Sequence, residues 1–142
     1  MDSYYFITYV YIPMRHQKNR LQKIDTWVKT RAVYVRVLLT NLVKHGKLTT
    51  TQKRAKVIKA EADHFFSKLV EIMTRYQDEK DGRREAIRYV QSLIYGEEEG
   101  KKAVNTLLPK YLKEGKTSGF VALYNIGFRV GDAAPKVMLK LL

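Results

Sequence analysis

The sequence contains no cysteine. That excludes disulfides, thiolate metal sites and a cysteine nucleophile, and it fits a reducing compartment. It also lacks any apolar run near the roughly eighteen residues that a membrane-crossing helix needs. The opening stretch "MDSYYFITYVYIP" is apolar and aromatic but holds Asp2 and no cation. It therefore matches neither a secretory signal nor a transit peptide. There is no Gly-rich phosphate loop leading into a helix and no Gly-flanked serine nucleophile. His16, His45 and His64 do not have metal-ligand spacing. The acids that could serve a catalytic role cluster in turns and helix starts, namely Asp78, Glu79 and Asp81, then Glu97, Glu98 and Glu99. Those are favourable dipole positions. The expectation is a protein with no enzymatic activity, no cofactor, no metal and no small-molecule substrate.

Acids are scarcest where cations are densest. The 142 residues carry a net charge of +13, and residues 14–59 hold thirteen Lys or Arg against one acid, Asp25. That block alone is +12, whereas residues 60–142 contribute only +2. A solvated surface normally mixes the two signs. A one-signed block repels itself and favours a polyanion beside it. Nucleic acid is the expected partner. A soluble basic face and an anionic membrane surface are the alternatives, and no membrane partner is expected.

The length suits one domain. Residues 14–26, "MRHQKNRLQKIDT", have little apolar content and read as an extended arm. From Trp27 to the Gly46 stop the spacing predicts a helix, with Val35, Leu38, Leu39 and Leu42 on one side and Lys29, Arg36, Thr40 and Lys44 on the other. "GKLTTT" predicts a short edge strand. Thr49 and Gln52 have capping-box spacing, and Thr50 or Thr51 offers another cap. A long helix follows, in which Ala55, Ile58, Ala62, Phe65, Leu69, Ile72 and Tyr76 step by three and four as a core stripe. A third helix over about 82–95 presents Ile87, Val90 and Ile94. A fourth over about 98–113 presents Val104, Leu107, Leu108 and Tyr111, with Pro109 expected to end or kink it near Leu108. "FVALYNIGF" and "KVMLKLL" predict two strands joined by a tight turn at Gly131-Asp132, with Asp132 capping turn N–H groups. The expected fold class is α/β (α+β). It has two layers, helices on a small three-strand sheet, with an extended basic N-terminal arm. The expected organisation is an apolar extension over 1–13, the arm over 14–26 and one globular domain over 27–142.

Lys53, Arg54, Lys56 and Lys59 crowd the first two turns of the long helix. Cations there oppose the helix dipole at about 0.3–1 kcal/mol each. A phosphate at that end reverses the sign, because exposed N–H groups and four cations then face an anion. The arm adds Arg15, His16, Lys18, Arg20 and Lys23, a segment too polar to offset its ordering entropy by burial. Lys29, Arg31, Arg36, Lys44 and Lys47 complete the expected RNA-binding set. Trp27 reads as packing or as a base-stacking ring.

Four segments in order resemble the L-seventeen family of bacterial-type large-subunit ribosomal proteins. "MRHQKN" looks like the family start, and "NLVKHGKLTTTQKRAK" is similar to its helix, short strand and helix entry. "LLPKY" resembles its Leu-Gly-Pro-Arg-Tyr segment, and "FRVGDAAPKVMLKLL" its Arg-x-Gly-Asp-x-Ala-Pro ending, the most specific of the four. The resemblance covers residues 14–142. It implies helices against a three-strand sheet and a structural role in the large ribosomal subunit. It further implies contact with large-subunit rRNA near the polypeptide exit tunnel and neighbours from the L-twenty-two and L-thirty-two families. The implied location is the ribosome of the cytoplasm, with an organellar ribosome left open. A non-ribosomal nucleic-acid binder is the alternative.

The chain departs from the family pattern in three places. Lys18-Asn19-Arg20 stands where the family has Ser-Gly-Arg, and Arg36-Val37 where it has Arg-Asn. Gly119-Phe120-Val121-Ala122 replaces Gly-Tyr-Thr-Arg, so no RNA contact is assigned to that segment. Residues 1–13 precede the family start at Met14. Three readings stand for them: translation beginning at Met14, an added strand or clamp on a neighbouring ribosomal protein, with Pro13 turning the chain into the arm, or contact with a membrane surface.

Overall fold

The computed structural model describes Ile24 and residues 28–142, with the side chains of Ile24 and of residues 30–142. The expectations for the 1–13 extension, for the arm cations Arg15, His16, Lys18, Arg20 and Lys23, for Trp27 and for the Lys29 side chain lie outside the described residues.

The elements run α1 (Val28–His45), β1 (Lys47–Thr51), α2 (Gln52–Arg75), α3 (Glu79–Leu93) and α4 (Glu97–Lys102). A π-helical turn (Ala103–Leu107), α5 (Leu108–Lys113), β2 (Val121–Phe128) and β3 (Pro135–Leu141) follow. The order matches the periodicities read from the sequence, with boundaries shifted by a few residues. The three strands form one antiparallel sheet in the order β1-β3-β2. The last strand in the chain is thus the middle one.

The α2 stripe explains the layering. Ala55, Ile58, Ala62, Phe65, Leu69 and Ile72 are all buried, joined by Phe66 and Val70 on the flank. Val137, Leu139 and Val121 meet them from the sheet. Leu39, Leu42 and Val43 of α1 complete that side of the core, and Ile24 is buried in it. At the centre Tyr111 and Phe120 lie edge-on, ring centroids 4.9 Å apart, and Phe66 sits 5.2 Å from Tyr111. Truncating one of these rings to alanine should cost about 3–5 kcal/mol. Tyr76, expected to end the stripe, is 39% exposed, because α2 stops at Arg75 and Tyr76 is already extended.

The Gly46 stop works as read. Gly46 has φ +69°, and its N–H donates to Leu42 O at 2.8 Å. This is a left-handed helix end suited to a residue without Cβ. The expected side-chain cap of α2 does not form. Thr51 occupies the N-cap position in extended conformation, but its side chain makes no capping bond, and Thr49 is paired within β1.

Pro109 neither ends nor breaks the fourth helical stretch. Proline lacks an N–H and crowds the carbonyl four residues back. The preceding turn widens to π pitch, with the Leu108 N–H reaching Ala103 O, and the helix then continues to Lys113. Such a one-turn widening accommodates the ring.

The β2–β3 turn is tight, as expected. Arg129 N–H donates to Ala134 O at 2.9 Å and Ala133 N–H to Arg129 O at 3.0 Å. Asp132 accepts from the Ala134 N–H at 3.2 Å, the role read for it. It also holds the Arg129 guanidinium through two hydrogen bonds, Nε to Oδ1 at 2.9 Å and Nη2 to Oδ2. The sequence reading did not foresee that partner.

Candidate nucleic-acid interface

From Val28 to Ala60 the chain carries no acid. Folding turns this stretch into α1, the Gly46 turn, β1 and the start of α2, all adjacent in space. The buried stripe of α2 fixes which cations face out. Ala55, Ile58 and Ala62 point into the core, so Lys53, Arg54 and Lys56 are exposed and Lys59 is half-buried at its flank. No acid lies in the first turn of α2, and the Thr51 side chain makes no capping hydrogen bond. A helix start that gathers cations and has no acid in its first turn favours an anion.

Aromatic rings position two of the arginines. The Arg54 guanidinium lies over the Tyr34 ring of α1, 5.5 Å from its centroid. Arg36, half-buried on α1, lies over the ring of Tyr95 in the α3–α4 connection, 4.2 Å from its centroid. Its Nε is buried without a hydrogen-bond partner among the described residues. The same side of α1 is tied down by Thr40 Oγ1, which accepts from the Tyr95 N–H at 3.0 Å. The face read as the polar side of α1 is therefore partly a docking surface for the segment between α3 and α4. Tyr34 and Tyr95 were not picked out in the sequence, because nothing in the spacing shows that a ring 59 residues away will face Arg36.

Lys44 and Lys47 flank the Gly46 turn, both exposed. Lys44 pairs with Glu99 at 3.2 Å, and Lys102 donates to Lys44 O at 2.7 Å, fastening the end of α1 to α4. The Glu99 carboxyl is held below its usual range first by its own backbone N–H, then by Lys44. Lys44 is thus already engaged within the fold. Arg31 is half-buried on α1. The set from Arg31 to Lys59 thus shares one region of the fold, whereas Arg15, His16, Lys18, Arg20, Lys23 and the Lys29 side chain lie outside the described residues.

A concavity of about 630 Å³ lies between α3 and the α4–π stretch, lined by Ile87, Val90, Ile94 and Val104. Arg83 Nη2 bridges its rim to Asn105 Oδ1 at 2.6 Å. Ile87, read on one face with Val90 and Ile94, is 39% exposed and lines this groove. Among the described residues no three His, Asp or Glu side chains gather in a way that could hold a metal ion. No described helix is long and apolar enough to cross a membrane.

The family described as "Ribosomal protein L17" matches residues 34–142. The chain is 34% identical over 112 residues to a large ribosomal subunit protein bL17 of Desulforudis audaxviator, covering 79% of this chain and 89% of that protein. It is 30% identical over 129 residues to a bL17 protein of Thermotoga maritima, covering 91% and 95%. A Clostridium kluyveri bL17 protein is 35% identical over 112 residues, covering 79% and 88%. These similarities define a class, the structural proteins of the large ribosomal subunit, which are not enzymes. Within that class, the chain belongs to the ribosomal protein L17 family.

Proposed function

We propose that the chain binds large-subunit rRNA through its basic block. Arg31, Arg36, Lys44, Lys47, Lys53, Arg54, Lys56 and Lys59 contribute from the folded part. Arg15, His16, Lys18, Arg20, Lys23 and Lys29 contribute from the arm and the start of α1. The observation that carries this reading is the acid-free stretch from Val28 to Ala60, which places cations around a helix start with no acid in its first turn. In isolation that arrangement is unfavourable, and beside phosphates it is favourable.

The family resemblance supports a position near the polypeptide exit tunnel, with L-twenty-two and L-thirty-two family proteins as neighbours, in the ribosome of the cytoplasm. It also supports the division into an extension over 1–13, an arm over 14–26 and a globular domain over 27–142.

Binding of the full chain to large-subunit rRNA across a salt series tests the proposal. Neutralising about six to ten phosphates should weaken binding about 10³–10⁵-fold between roughly 50 and 200 mM salt. The triple variant R54Q/K56Q/K59Q should flatten that dependence while leaving the chain folded. A flat salt response in the wild-type chain would sink the proposal, and unfolding of the variant would make these cations structural.

A further inference from the structure

The solvent face of the sheet carries a second set of cations, separate from the helix start. Register fixes its composition. Residues paired across an antiparallel sheet share a face, and Leu48, Leu139 and Leu123 share the face on which Val137 and Leu139 are buried. The opposite face therefore consists of three rows across the strands. The first is Lys47, Lys140 and Ala122, the second Thr49, Met138 and Tyr124, and the third Thr51, Lys136 and Gly127. Lys47, Lys136, Lys140 and Tyr124 are all exposed. No acid occupies any of these nine positions.

This is unlike the rest of residues 60–142. There the cations are mostly matched locally: Lys68 and Arg75 with Glu71, Arg84 with Asp81, Arg88 with Glu85, Lys101 with Glu97 and Arg129 with Asp132. Lys136 and Lys140 have no acidic partner among the described residues. Lys140 instead faces Lys47 directly across the β1–β3 pairing, and like charges so placed are destabilising. Lysines on edge strands guard against unwanted strand pairing. That explanation does not reach Lys136 and Lys140, because β3 is the middle strand.

We infer that this face binds an unpaired stretch of large-subunit rRNA, with Tyr124 stacking on a base and Lys47, Lys136 and Lys140 meeting phosphates on either side. The inference rests on the rRNA-binding reading above and extends it to residues outside the basic block. Lys136 and Lys140 stand about 13 Å apart along the strand, from a rise of about 3.3 Å per residue. Tyr124 and Met138 lie in the row between them. A central ring with flanking cations suits a single strand, whose bases are free to stack while its backbone is tracked by charge. An apolar protein partner would leave the three ammonium groups to be desolvated without a counter-charge.

The test uses the full chain and large-subunit rRNA transcribed in vitro, with folding checked by circular dichroism. K136Q/K140Q should reduce the log–log salt slope by about 1.4–1.8, at roughly 0.7–0.9 per phosphate contact. Tyr124→Leu should weaken binding about tenfold through lost stacking, while Tyr124→Phe should bind like wild type. Wild-type affinity and slope in K136Q/K140Q and Tyr124→Leu would overturn the inference. If R54Q/K56Q/K59Q still weakened binding in that case, the rRNA-binding reading would survive alone. Normal RNA binding by the sheet variants, with loss of a neighbouring protein from reconstituted subunits, would mean that a protein covers this face. A wild-type chain that failed to bind the rRNA would overturn both readings.

Discussion

Asp63 of α2 holds the start of β2: its Oδ1 accepts from the Phe120 N–H at 2.8 Å and from the Val121 N–H at 3.1 Å. Both donor residues are buried, and Phe120 belongs to the central ring cluster. One carboxylate oxygen therefore satisfies two backbone groups where the loop after α5 becomes a strand. Asp63→Ala leaves both N–H groups buried and unpaired, which should cost about 1–3 kcal/mol. Asp63→Asn retains an acceptor and should cost less. Urea unfolding of the two variants checks the order; equal losses would mean that the carboxamide cannot take up the same geometry.

Tyr111 is fully buried, and its hydroxyl has no hydrogen-bond partner among the described residues. Burial raises its pKa to about 12, with Glu114 and Asp63 adding to the shift. An unmade bond at a buried hydroxyl is a cost that phenylalanine removes. Tyr111→Phe should therefore be as stable as wild type or more so, by up to about 1 kcal/mol. The pH dependence follows from the raised folded value. The contribution of the neutral hydroxyl is complete below the ordinary pKa of 10.0 and is lost as pH rises towards about 12. Thermal melts of the two proteins at neutral and strongly alkaline pH should diverge, with wild type losing more. Parallel curves would place the alkaline sensitivity elsewhere.

The Arg129 guanidinium, followed by the Ala134 N–H, draws the Asp132 carboxyl down from 3.8 to about 2. A lowered folded pKa stabilises the turn above the ordinary value and ceases to do so as pH falls from about 4 towards 2. The carboxyl carbon resonance of Asp132 should report a midpoint near 2, moving up towards the ordinary value in Arg129→Gln. An unchanged midpoint in that variant would assign the shift to the backbone N–H instead. Because the group is exposed, salt should weaken the effect.

Much of this fold was legible because its signals are local. The α2 stripe repeats every three or four residues over six turns, and six of its seven positions are buried. The alternation of Val137 and Leu139 with Lys136 and Lys140 fixes the face of β3 before any partner strand is known. What escaped depends on distant partners. Nothing near Asp63 in the chain indicates that its acceptor will meet N–H groups 57 and 58 residues on. Pro109 announced a disturbance, but whether the helix ends or widens by a turn depends on the packing of Val104, Leu108 and Tyr111, all buried. The basic block was visible as composition. The opposed Lys47 and Lys140 became visible only through register, because each lies in a segment that looks ordinary alone.

The strand order has a consequence for how the molecule is made. β1 and β2 do not pair with each other; each pairs only with β3. During synthesis β1 emerges early and stays unpaired until some eighty-four residues later in the chain, when Pro135–Leu141 appear. Helices α1 to α3 can form from local contacts in that interval, whereas the sheet must close in one late step between distant segments. A nascent chain halted anywhere before Pro135 should therefore be helical without a sheet, its core-facing Val121 and Leu123 lacking the strand that covers them, and such an intermediate is a natural client for a chaperone.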